Sequence, residues 1–106
     1  MNNKTPPQEV NSAVVHPEGD LVAARLPALR AQLQEMVGAG VIHLTLDLGA
    51  TRMVDSAGIG LLISAHNSLK KAGGELTVIG VSKDILDLFR TMRIHQHFSV
   101  SGSQGL

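Results

Sequence analysis

No cysteine, tryptophan or tyrosine occurs in the chain, and phenylalanine occurs only twice. Without cysteine there is no disulfide, no thiol nucleophile and no thiolate-bound metal, although a compartment does not follow from that. With two aromatic rings there is nothing from which to build a stacking platform for bases or sugars. Neither sign of charge is in excess: nine Lys plus Arg stand against nine Asp plus Glu, for a net charge of zero. A nucleic-acid backbone needs a basic surplus to neutralise it, so nucleic acid is not an expected partner. No apolar run approaches the roughly 20 residues of a membrane span. The first residues, Met1-Asn2-Asn3-Lys4-Thr5-Pro6-Pro7, hold no apolar signal core. The expectation is a cytoplasmic protein with no direct membrane insertion.

What is present suits one small domain. The chain has 106 residues, 43% of them apolar, enough for an unstapled core. The apolar residues are mostly Leu, Val, Ile and Ala, so that core is aliphatic. Residues 1–12 read as a flexible arm carrying Pro6-Pro7, residues 13–100 as the domain, and 101–106 as a short turn-like tail. Ala13-Val14-Val15-His16 is a candidate strand that Pro17 and Gly19-Asp20 close as a turn. Leu26, Leu29, Leu33, Met36 and Val37 then fall on one helical face. Pro27 is tolerated there only in a first turn, and Gly38 and Gly40 mark the end.

Val41 to Leu48 alternates, with Ile42, Leu44, Leu46 and Leu48 on one face and Val41, His43, Thr45 and Asp47 on the other. One apolar and one largely polar face predict helices packed on one side of the sheet. After the connector Gly49-Ala50-Thr51-Arg52, a second helix is predicted from about Ala57 to Ala72, with Ile59, Leu62, Ala65, Leu69 and Ala72 inward. Gly73-Gly74 stops it, and Glu75 to Gly80 reads as a strand. Ser82 is a plausible N-cap for a third helix bearing Ile85, Leu88, Phe89 and Met92. Ile94, Phe98 and Val100 suggest a final short strand. The helix–strand alternation reads as a parallel α/β arrangement.

Ser56 stands at the strand-to-helix junction, near the first free N–H groups of the second helix. Those donors and the helix dipole favour negative charge. The hydroxyl can cap the helix or carry a phosphate that the helix end would hold. Asp55 can itself be the cap, leaving Ser56 free, or can help a kinase recognise the serine. Gly58 and Gly60 weaken the first turn by roughly 1 kcal/mol each relative to Ala. Bare backbone is therefore wanted there, either for close internal packing or for a visiting partner.

Asp55-Ser56-Ala57-Gly58-Ile59-Gly60-Leu61-Leu62, with Leu46-Asp47-Leu48 before it and Gly73-Gly74-Glu75-Leu76 after it, resembles the STAS domain family of bacterial anti-sigma factor antagonists. The resemblance runs from about Gly19 to Val100. It implies a small α/β domain: a mixed, mostly parallel sheet with helices largely on one face. Two antiparallel strands begin the sheet in the family, and here the space implies that one of them is short or irregular. The resemblance also implies that Ser56 is the phosphoacceptor, surrounded by Asp55, Ala57, Gly58, Ile59 and Gly60, with Asp20 and Arg25 in the region where relatives meet their kinase. An acidic position of the family falls near Val22 here, so that contact does not transfer. The implied partner is a serine kinase and anti-sigma factor of the histidine-kinase-like ATPase type, with a phosphatase to restore the unmodified form. The alternative is a STAS module that binds protein constitutively in a chemoreceptor array or a lipid-transport ABC complex.

Other chemistries find less to stand on. His95-x-His97 would put two rings on one face of a strand, but no cysteine or clear carboxylate accompanies them, so no metal is expected. Ser56 is not in a Gly-x-Ser-x-Gly setting, no His or Lys lies near it in sequence, and no phosphate loop is present. Neither enzymatic activity nor a cofactor is expected. A monomer or weak dimer is expected, because the helical stripes are used up against the sheet.

Overall fold

The computed structural model describes residues 11–102. Of the arm expected at 1–12 and the tail expected at 101–106, residues 1–10 and 103–106 lie outside the described residues, while Ser12, Ser101 and Gly102 belong to strands. Four strands, β1 (Ser12–Val15), β2 (His43–Asp47), β3 (Glu75–Val81) and β4 (Ser99–Gly102), form one sheet in the order β1-β2-β3-β4, and every pair is parallel. Three α-helices connect them: α1 (Leu26–Gly38), α2 (Ser56–Lys71) and α3 (Lys83–Thr91). Each strand lies beside the next one in sequence. Right-handed crossovers that always step the same way place every helix on the same face. The three helix N-termini then open at one edge of the sheet, beyond the strand C-termini.

Burial follows that winding. Leu44, Leu46, Leu76 and Val78 point under the helices and are at most 1% exposed, while His43 and Glu75 on the other face are exposed and Thr45, Asp47, Thr77 and Ile79 are half-covered. Against the inward face pack Leu29 and Leu33 of α1, Ile59, Leu62 and Leu69 of α2, and Ile85 and Phe89 of α3. Ala72 and Met92, expected on the apolar stripes, are the exposed C-caps of α2 and α3. Val41 also departs from the alternation. Its N–H bonds Met36 O at 3.0 Å, so it closes the end of α1 instead of joining the sheet, and it is buried.

The first edge of the sheet is reduced. Where the family resemblance implied two antiparallel strands, the described residues show the four-residue β1 and, further on, an isolated parallel bridge between Leu21 and Val54. At the other end the expected strand through Ile94 and Phe98 is instead a 3-10 turn, Ile94–Gln96, and only then β4. Ile94 and Phe98, both buried and four apart, have the spacing of a turn and not of a strand. His95 and His97 therefore share no strand face. The His97 ring packs against buried His66, centroids 6.3 Å apart. Nδ1 of His66 has no hydrogen-bond partner among the described residues. Burial first, then the charges of Lys70 and His97, hold the His66 pKa below the usual histidine value.

Candidate functional site

Two loops meet where the strands end, and two carboxylates organise them. Asp20 Oδ1 accepts the N–H groups of Arg52 at 2.9 Å and Met53 at 3.1 Å. The Leu21 N–H donates to Met53 O at 3.0 Å, and the Asp55 N–H donates to Leu21 O at 3.1 Å. Buried Thr51 adds a bond from its hydroxyl to Gly19 O at 2.9 Å. The segment before α1 is thus sewn to the segment before α2 across more than thirty residues of chain. None of these long-range ties has a local sequence signature. The Asp20 carboxylate, a candidate partner contact from sequence, is occupied by backbone donors.

Asp55 is the N-cap of α2. Its Oδ1 accepts the Gly58 N–H at 2.9 Å, and its Oδ2 reaches back to accept the Ala23 N–H at 3.0 Å. The first of these bonds and then the second hold its carboxyl below the ordinary carboxylate pKa. One side chain thereby satisfies a free donor at the start of α2 and another in the 3-10 turn Ala23–Arg25 that leads into α1. The cap that sequence left open between two residues goes to the aspartate. Ser56 is exposed, and its hydroxyl has no hydrogen-bond partner among the described residues.

The rest of the motif divides by depth. Ser56, Ala57 and Gly60 are exposed, whereas Gly58 and Ile59 are buried. Gly58 is dictated by packing: a Cβ there would run into the Leu21 carbonyl oxygen and would lie 2.9 Å from Val54 Cγ1. A Cβ on Gly60 would meet nothing within 4 Å. Its bareness serves no internal contact, so the question that sequence posed for both glycines has two different answers. Arg25 is exposed, and its guanidinium lies over Gly19.

Among the described residues no three His, Asp or Glu side chains gather as a metal site would require. No described helix is long and apolar enough to cross a membrane. The arrangement presents an exposed hydroxyl at a helix start, with the anion position of that start already filled by Asp55.

Solved structures share this architecture at low sequence identity. The crystal structure of TM1081 from Thermotoga maritima, described as an anti-sigma factor antagonist, matches with a TM-score of 0.81 and 12% identity over 86% of this chain and 79% of that one. The anti-sigma factor antagonist SpoIIAA in its unphosphorylated form gives a TM-score of 0.75 and 16% identity over 90% of this chain and 84% of that one. The phosphorylated form of SpoIIAA, a Bacillus cell fate determinant, also matches, with a TM-score of 0.68. Murine Slc26a9, an anion transporter, matches with a TM-score of 0.74 and 18% identity over 89% of this chain but only 16% of its own length. These likenesses concern the fold. The family model described as "Mlab, STAS domain" matches residues 5–101, and the chain belongs to the STAS domain family.

Proposed function

We propose that the protein is a protein-binding switch whose contact surface is the start of α2. With Ser56 unmodified it binds a serine kinase that is also an anti-sigma factor, of the histidine-kinase-like ATPase type. Phosphorylation of Ser56 by that kinase releases it, and a phosphatase restores binding. The observation that carries this reading is the exposed Ser56 hydroxyl, left without a structural task because Asp55 makes the cap. Similarity in fold to SpoIIAA, whose structure exists in unphosphorylated and phosphorylated forms, supports it.

In the transfer, Ser56 Oγ forms a bond to the γ-phosphorus of ATP. The bond from that phosphorus to the bridging oxygen breaks, ADP departs, and the hydroxyl proton passes to a base of the kinase. The product places about −1.5 to −2 charges next to Asp55. A phosphate would normally draw on the helix-start donors, but Asp55 already holds the Gly58 N–H and is tied to Ala23. The new anion must repel Asp55 or displace it from these donors. Either outcome changes the surface a partner meets, in charge or in the seating of the turn before α1.

A second reading has its own support. In Slc26a9 the matching segment is a small part of a transporter chain, so the same fold also serves as one module of a larger assembly. There, as in a chemoreceptor array or a lipid-transport ABC complex, the surface would bind constitutively. Affinity for the cognate partner, with and without ATP, separates the two. For the switch, ATP and Ser56→Asp each weaken binding by tens to thousands of fold, corresponding to about 2–5 kcal/mol. Ser56→Ala binds and is not released, and mass spectrometry finds phosphate on wild-type Ser56. A bound partner that leaves Ser56 unmodified, or Ser56→Asp binding as tightly as wild type, rejects the switch.

A further inference from the structure

His66 belongs to the buried side of α2, with Ile59, Leu62, Ala65 and Leu69, and is 9% exposed. Its ring is covered by residues from the far end of the chain. The His97 ring meets it at 6.3 Å between centroids, and the buried Phe98 ring at 5.8 Å. Nδ1 is closed off from solvent and has no hydrogen-bond partner among the described residues. A neutral ring carries one N–H and one bare acceptor, whereas the imidazolium carries N–H on both nitrogens. Whichever nitrogen holds the proton at neutral pH, protonation in place would bury a charged Nδ1–H with nothing to accept it.

The neighbouring groups do not relieve that charge. Lys70, one turn further along α2, is a like charge, and His97 becomes one when it protonates. Glu75, from β3, borders the same hollow of about 250 Å³. Its carboxylate, however, is 70% exposed and lies 3.9 Å from His43 Nδ1. Gly74, Leu76 and Ser99 complete the lining without a charge, and His95 is exposed outside it.

The cover over His66 is lightly held. It starts after Arg93, whose φ of 59° lies in the left-handed region that favours glycine. It ends in β4, an edge strand that pairs with β3 alone, with a register break between Val78 and Val81. Ile94 and Phe98 are its buried anchors. We propose that residues 94–102 form an acid-sensitive latch: protonation of His66 drives this segment off α2 and off the edge of β3, while the rest of the domain stays folded. Opening lets water solvate the new N–H and separates the ring from His97. Such a release needs the free energy of one edge segment and not that of the whole domain. It bares the outer edge of β3, whose N–H and C=O groups are then free to pair with another strand. The latch goes beyond the reading of Ser56 and does not rest on it.

Amide hydrogen exchange on the full chain, corrected for the intrinsic effect of pH, tests the latch. An opened ring has an ordinary pKa of about 6.5, so the open fraction should rise by about three- to tenfold between roughly pH 7.5 and 5.5. Protection in residues 94–102 should fall by that factor, while amides of β2 and of Leu62 and Leu69 keep theirs. His66→Phe should abolish the fall, and His97→Gln should retain it. In the wild type the His66 ring signal should stay neutral at a pH where exposed His16 and His43 have titrated; this readout decides the matter if His66→Phe does not fold. A fall of less than about twofold, or an equal fall in β2 and α2, would overturn the inference. So would a fall that survives His66→Phe or vanishes in His97→Gln. A His66 ring that titrates with the exposed histidines while residues 94–102 stay protected would overturn it as well.

Discussion

Ser56 and Ser82 occupy equivalent places at one edge of the sheet, each where a loop leaving a strand turns into a helix. Ser82 is the N-cap of α3, and its hydroxyl accepts the Ile85 N–H at 3.3 Å. Ser56 is one residue further in, after an aspartate that has taken the cap. A single-residue offset turns the same side chain from a structural acceptor into an exposed, unengaged hydroxyl. The two glycines that follow repeat the lesson: Gly58 is required by the Leu21 carbonyl, and Gly60 is required by nothing inside the molecule.

Substitutions can break these pairs apart. The largest stability effect is expected at Gly58. Adding a methyl group against backbone that is pinned by the Leu21–Val54 bridge should destabilise by about 1–3 kcal/mol, as overpacking does. Gly60→Ala, in open space, should gain up to roughly 1 kcal/mol from helix propensity, and Gly60→Val should weaken partner binding while leaving the fold intact. Urea denaturation of the variants checks the contrast, and equal losses at Gly58 and Gly60 would erase it. Next, Ser82→Ala should cost about 0.5–2 kcal/mol as a lost cap, while Ser56→Ala should stay within about 0.5 kcal/mol of wild type. A Ser56→Ala loss as large as that of Ser82→Ala would give Ser56 a capping role after all.

How far these pairs could be read in advance depends on the reach of the interaction. The alternation of Leu44, Leu46 and Leu48, the stripes on three helices and the Ser82 cap are local patterns, and each appears in the structure as a strand face, a buried stripe or a cap, except that the last residues of two stripes, Ala72 and Met92, are exposed. That Asp55 could cap was legible for the same reason. Its second bond, to Ala23, and the Asp20 clamp join residues 32 or 33 apart, and neither leaves a trace in local periodicity. Gly58 and Gly60 look alike in sequence because what distinguishes them is the Leu21 carbonyl, brought in by that tie. Ile94 and Phe98 were open to misreading as a strand since two isolated apolar residues fit either period.

The smallest effects should appear on acidification. His66 is neutral in the fold, with its pKa below the usual value, so the unfolded chain takes up its proton first. Stability is therefore expected to fall as pH drops through the unfolded histidine range near 6.5. Asp55 contributes stability above its unfolded pKa, and that contribution is lost as pH falls below about 3.8. Thermal melts across pH should show two separate declines. His66→Phe should flatten the first, and Asp55→Asn the second. Declines that persist in both variants would assign the acid sensitivity to other groups.

The winding of the sheet has one more consequence. Because α1, α2 and α3 all start at the same edge, their peptide dipoles add, each leaving roughly half a positive elementary charge there. The side chains are arranged the other way: Asp20, Asp55 and Asp84 sit at the helix starts, and Lys70, Lys71 and Arg90 in the last turns of α2 and α3, so formal charge opposes the peptide dipoles. With the two contributions opposed, orientation toward a partner is left to contact and not to long-range steering. Its association rate should then change little with added salt.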